Sequence, residues 1–187
     1  MTKSKDYEIS IPKIKSGIKK TLFGSLEIVG YAKDLIERGG NTDFALGLYL
    51  MALEEYGKSI ILRESIKQDN TSATISKKVF ENTDLIFKKA FTLLPKKCTL
   101  PLNHKLDAQE NLFSDKPQLK NSLKTRPIDS DIILNFEITK TCFHLTWNES
   151  ENKWSKPPRV NPDELLSAIK EFSEFISAEL DSAHDFE

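Results

Sequence analysis

The sequence predicts a mainly α protein, an HEPN-like antiparallel bundle in outline: about four principal helices with a small β-hairpin before the last helix. Three observations predict it. Apolar residues recur at helical spacing from Lys13 to Leu94 and again after Asn161. Gly39-Gly40, Pro95 and Asn161-Pro162 stand where such segments stop or start. Only between Ile132 and Trp154 does the period drop to two. A chain of 187 residues, 39% apolar and 29% charged, is large enough to bury a core, and it reads as one domain over 1–187.

The first dozen residues read as a frayed leader. Helix one is predicted from about Lys13 to Arg38. Ile18, Leu22, Ser25, Val29, Ala32 and Ile36 step by four and three along one face, and Leu26 and Leu35 widen it. Gly39-Gly40 ends it, because glycine takes the left-handed conformation at little cost. Helix two opens at Asn41 or Thr42, either of which can cap it, with Asp43 favourable to the helix dipole. It runs to about Lys67. The short connection makes the two helices antiparallel neighbours. Helix three is predicted as one element from about Ser72 to Leu94, with Val79, Phe80, Leu85 (or Thr83), Ile86, Phe87, Ala90 and Leu94 on its apolar side.

From 95 to 131 the pattern weakens into a long irregular segment punctuated by Pro95, Pro101, Pro117 and Pro127. Residues 132–158 form the β-hairpin region. There Phe143, Leu145 and Trp147 alternate with Cys142, His144 and Thr146, and Trp154 follows a polar turn, so that Trp147 and Trp154 read as a cross-strand or near-diagonal pair. The final helix spans 161–184. Asn161 is its N-cap and Pro162 its first residue, and Leu165, Ile169, Phe172, Ile176 and Leu180 form its core stripe.

Composition narrows the function classes. No apolar run is long and uncharged enough for a membrane span. The basic N-terminal stretch lacks the apolar centre of a secretory signal, so the chain is expected in the cytoplasm, with no membrane partner. There, Cys98 and Cys142 are expected as free thiols. No C-x-x-C pair, His-Cys cluster or H-E-x-x-H signature suggests a metal, and no Gly-rich phosphate loop or Ser-His-Asp arrangement suggests a cofactor or an acyl-transfer site. Residues 1–100 are modestly basic and residues 101–187 modestly acidic, which reads first as two halves of one fold complementing each other and second as a basic surface for RNA.

The chemistry concentrates in Phe44 to Leu62. This segment is apolar around almost the whole helix, yet it carries Glu54, Glu55 and Lys58 in its middle. Charges in such a helix are paired, hydrogen-bonded or functional, because an unpaired buried charge is costly. The structural reading is an i, i+4 pair between Glu54 and Lys58, with Glu55 about 100° further round and bonded to helix one or three. The functional reading is a polar pocket in which Glu54, Glu55 and Lys58, joined by Asp84 and Lys88 of helix three, bind a phosphate-bearing ligand or RNA. Tyr49 and Tyr56 read as core caps with wet hydroxyls. The pairs Lys77-Lys78 and Lys88-Lys89 are spaced to share a helix face, as a solvated surface or a phosphate-tracking stripe. His104, in the irregular segment, is a surface histidine or a general acid–base group.

Ala52-Leu53-Glu54-Glu55-Tyr56-Gly57-Lys58 resembles the A-x-E-E-x-G-K core of the second helix in the abortive-infection AbiV family, which is similar in turn to the all-helical HEPN superfamily. The preceding helix with its glycine turn, the aromatic hairpin, Trp154 with Pro157 and the final amphipathic helix follow the family's order. The resemblance implies a phage-defence effector that acts mainly by binding a protein or RNA partner, phage or host in origin, and that pairs as a homodimer. It implies two alternatives, a metal-independent ribonuclease with Glu55, Lys58 and His104 as catalytic candidates, and a structural regulator of a toxin. The Arg-x4–6-His motif of the superfamily's ribonucleases is missing. None of His104, His144 and His184 follows an arginine at that spacing, and Lys97 before His104 lacks the bidentate guanidinium.

Overall fold

Gly39 decides where the first long helix stops. Its φ is 70°, in the left-handed region. Its N–H donates to the Ile36 carbonyl and the Gly40 N–H donates to the Leu35 carbonyl, the paired bonds of a Schellman ending. Helix α1 therefore spans Ile11–Glu37 and the chain reverses at once into α2, Thr42–Ser65. Asn41 caps α2 by accepting the Phe44 N–H at 2.9 Å. The computed structural model describes residues 6–66, 71–95, 98, 142, 147–148, 153–154 and 160–184, and, within these, not the side chains of Asp84, Trp147, Asn148, Lys153, Trp154 and His184.

Two N-terminal expectations are corrected. Residues 6–10 are not a frayed leader: Asp6–Ser10 forms strand β1, which pairs antiparallel with β2, Ser72–Ser76, from Asp6 opposite Ser76 to Ser10 opposite Ser72. The Ile11 N–H extends the ladder to the Thr71 carbonyl. Nor is 72–94 one helix. In S-A-T-I-S, Ala73 and Ile75 are buried while Thr74 is exposed, a period of two that pins this segment to the core as a strand. A short helix α3, Lys77–Glu81, follows, and Asn82 interrupts it with φ −91° and ψ 87°. The Asn82 side chain accepts the Leu85 N–H at 3.1 Å and so starts α4, Thr83–Leu93. The break puts Lys77-Lys78 and Lys88-Lys89 on different helices, which removes the basis for one continuous basic face.

Later in the chain, strands β3, Trp147–Asn148, and β4, Lys153–Trp154, pair antiparallel in the expected hairpin, with Trp147 directly opposite Trp154 rather than diagonal to it. Helix α5, Pro162–His184, starts where Asn161 caps it, its side-chain oxygen accepting the Asp163 N–H at 2.9 Å. The fold is thus the mainly helical bundle with a small hairpin that the sequence predicts. Among the described residues, the four longer helices, α1, α2, α4 and α5, are its principal elements.

The core lies where α1 packs along α2 and α5, with α4 against the far side of α2. From α1 it takes Ile18, Leu22, Val29 and Ala32 of the predicted stripe, with Ile14 one turn earlier, all within 2% exposure. From α5 it takes Leu165, Ile169, Phe172, Ile176 and Leu180. Helix α2 is buried on several sides at once, which explains its lack of a polar face. One buried hydroxyl ties the first pair: Ser25 Oγ of α1 donates to the Ala52 carbonyl of α2 at 2.7 Å.

Candidate functional site

Each residue of the A-L-E-E-Y-G-K segment has a physical task. Ala52 is fully buried, small enough for α1 to approach, and its carbonyl takes the Ser25 hydrogen bond. Leu53 and Tyr56 fill the core at 1% exposure. Gly57 marks the point where α2 and α4 touch backbones. A Cβ placed there would lie 2.2 Å from the Ile86 carbonyl oxygen, so no other residue fits without parting the helices. A bridge from Lys89 of α4 to Glu64 of α2, at 2.5 Å and 2.7 Å to its two oxygens, closes the same pair of helices nearer the end of α2.

The three charged residues lie together on one flank. Lys58 Nζ donates to Glu55 Oε1 at 2.6 Å and lies 3.1 Å from Glu54 Oε1. This corrects the expectation that Glu55 turns to helix one or three. Spacings of three and four both bring a carboxylate to the same ammonium, because an i, i+3 pair is as much a helical neighbour as an i, i+4 pair. The cluster is half-buried, Lys58 at 23% side-chain exposure and each glutamate at 29%.

Burial pulls the Lys58 ammonium towards neutrality, but the hydrogen bond to Glu55 and the charges of Glu54 and Glu55 outweigh it, and its pKa is raised. Lys58 therefore stays protonated at neutral pH and is no general base. Its positive charge is shared between two carboxylates, so the cluster is acceptor-rich and offers poor attraction to a phosphate. Lys88 is exposed on α4. Neither the Asp84 side chain nor His104 is within the described residues, so the structure assembles Glu54, Glu55 and Lys58 and leaves the wider candidate set outside the description.

The tyrosines correct another expectation. Their hydroxyls are not wet caps: both residues are 1% exposed. The Tyr49 hydroxyl donates to the Cys98 carbonyl. Its ring meets Phe172 edge-on at 5.6 Å, and the Tyr56 ring meets Phe172 at 5.9 Å and Phe175 at 5.4 Å. Burial raises both hydroxyl pKa values, with Cys98 adding to the effect at Tyr49 and Glu179 at Tyr56. Cys98 and Cys142 are free thiols. Burial, aided by Glu171, pushes the Cys98 thiol up to about 11, and burial, aided by Asp43, pushes Cys142 up to about 12. Neither is a ready thiolate nucleophile at neutral pH.

A second candidate went unmarked in the sequence. A cleft of about 180 Å³ opens where α1, the end of α2 and the end of α5 meet, lined by Lys15, Ile18, Lys19, Arg63, Ile66 and Ala183. Arg63 pairs through Nη1 with Glu179 of α5, while its buried Nε has no hydrogen-bond partner among the described residues. Lys15 and Lys19 are both engaged in further interactions. The sequence signal was faint: two lysines four apart on α1 and an arginine far along α2.

Among the described residues no group of three or more His, Cys, Asp or Glu side chains is gathered to hold a metal ion, and no helix is long and apolar enough to cross a membrane. In comparisons with protein-family models, curated proteins and solved structures, nothing matches this chain.

Proposed function

We propose that this chain is a phage-defence effector of the abortive-infection kind, and that it acts by binding a phage or host protein rather than by a reaction at the α2 cluster. The observation that carries the binding half of this reading is the double engagement of Lys58 by Glu55 and Glu54. An ammonium held by two carboxylates has little left for a scissile phosphate, and a permanently protonated lysine abstracts no proton. The defence half is supported by the resemblance of residues 52–58 to the AbiV motif, in which Ala52 and Gly57 sit where α2 packs against α1 and α4.

The experiment is to express the chain in a phage-sensitive bacterial host and measure plating efficiency over a phage panel, while incubating the purified protein with RNA. The expected result is reduced plating, intact RNA, and protection retained by Glu55→Ala and Lys58→Ala wherever these variants fold. RNA cleavage that either substitution abolishes at unchanged melting temperature would replace this reading with the ribonuclease. Unchanged plating across the panel removes the defence reading.

A further inference from the structure

Helix α1 buries one face and leaves large apolar groups on the other. Phe23 is 54% exposed and Tyr31 58%. They lie about two turns apart on the side of the helix away from α2 and α5. Between and around them, the residues form a mirror. With Glu27 as centre, Phe23 mirrors Tyr31, Lys20 mirrors Asp34, and Gly24 mirrors Gly30. At 3.6 residues per turn, all of these fall within about 60° of one line along the helix. Lys20, Glu27 and Asp34 are exposed as well.

A symmetric contact between identical chains sets residue i against residue j and j against i. An antiparallel helix pair crossing at Glu27 would therefore place Phe23 against the partner's Tyr31 and Lys20 against the partner's Asp34, twice over. A different protein would require no such mirror in this chain. The glycines supply a third observation. Among the described residues, a Cβ at Gly24 or Gly30 would meet nothing within 4 Å, so their packing gives no reason for glycine there. Glycine in a helix interior is destabilising relative to alanine, and it is suited to a backbone that another backbone must approach.

We propose that this face of α1 is the contact surface for a second copy of the same chain, with the two helices antiparallel about a two-fold axis at Glu27. Glutamates on the axis are drawn aside rather than opposed head-on, because the Tyr31 hydroxyl of the same helix donates to Glu27 Oε1 at 3.1 Å. The contact from Lys20 to Asp34 is about 21 Å long, so the interface is small and the dimer concentration-dependent. It stands apart from the defence reading, since it concerns how the chain pairs whatever it binds.

The test is sedimentation of the full chain over a wide concentration range. A reversible monomer–dimer equilibrium is expected. Phe23→Glu should weaken it at least about tenfold, since buried aromatic anchors dominate small interfaces. Lys20→Glu and Asp34→Lys should each weaken it several-fold, and the two together should restore it, because the mirrored pair is then reversed in both chains. Asp34 pairs with its own Arg38 only at the surface, at 3.5 Å, so its replacement leaves the fold intact.

Gly24→Ala with Gly30→Ala should loosen the dimer while raising the melting temperature of dilute monomer by about 1–4 °C per site, a combination a merely structural role does not give. Glu27→Cys should form a covalent dimer on mild oxidation faster than the parent chain. A monomer at every concentration overturns the proposal. So does a dimer indifferent to Phe23→Glu, or one that the paired charge reversal fails to restore.

Discussion

On α2, the flank that carries Tyr49 and Tyr56 and the flank that carries Glu54, Glu55 and Lys58 lie within a turn of each other, yet they satisfy their polar groups by different routes. The tyrosines are sealed at 1% exposure, and their partners come from distant parts of the chain: the Cys98 carbonyl, Phe172 and Phe175. The charged flank keeps about a quarter of its surface in water and finds its partners three and four residues away. The first arrangement depends on the whole bundle, whereas a single helix can supply the second. Removing a tertiary partner therefore leaves a cavity or an orphaned hydroxyl, while removing a local one leaves a charge that water can still reach.

The largest effect should come from the sealed side. Phe172→Ala removes the ring that both tyrosines meet, and urea denaturation should show a loss of about 3–5 kcal/mol. A loss under about 1 kcal/mol would mean that α5 does not seal this flank. Gly57→Ala comes next. The added methyl meets the Ile86 backbone, which cannot rotate away, and the cost should be about 1–3 kcal/mol, rising to failure to fold for Gly57→Leu. If both variants melt like the parent chain, α2 and α4 do not touch there.

Tyr49→Phe keeps the ring but removes the donor to the Cys98 carbonyl, and should cost about 1–2 kcal/mol in thermal or urea melts. The same hydroxyls give a pH signature. The folded-state pKa values of Tyr49 and Tyr56 lie above the ordinary 10.0, so their contribution is complete below pH 10 and is lost as pH climbs through the folded-state values. Lys58, raised above 10.5, acts in the same direction. Unfolding should therefore set in on the alkaline side, with the ionisation of these two tyrosines, followed by absorbance, coinciding with loss of helical circular dichroism. Tyrosinate appearing ahead of unfolding would contradict their sealed placement.

The smallest effect belongs to the charged flank. A double-mutant cycle on Lys58→Met and Glu55→Gln should return a coupling under about 1 kcal/mol that shrinks with added salt. A salt-insensitive coupling above about 2 kcal/mol would make the two flanks alike and end the comparison.

Much of the bundle was legible because helices advertise themselves locally. The α1 stripe, the Gly39-Gly40 ending, the Asn41 and Asn161 caps and the hairpin that brings Trp147 and Trp154 together all follow from spacing and from side chains that bond their own neighbours. The misreadings came where a segment's conformation was set by something far away in sequence. Ser72–Ser76 could extend the helical pattern that follows it, and it became a strand because Asp6–Ser10 lies alongside it. Asn82 carried a capping signal of its own, but the apolar spacing ran straight across it and masked the break.

The candidate site divides in the same way. That Glu54 meets Lys58 in an oily helix was legible in the sequence, because residues four apart on a helix are neighbours, whereas Glu55, three residues from the same ammonium, was read as turning to another helix. Gly57 against Ile86, Tyr49 against Cys98 and Arg63 against Glu179 were decided only by the tertiary structure. No periodicity encodes which helix comes to lie against which. That choice is made when apolar faces from distant segments are buried together and each buried polar group must find its partner among whatever the packing has brought near.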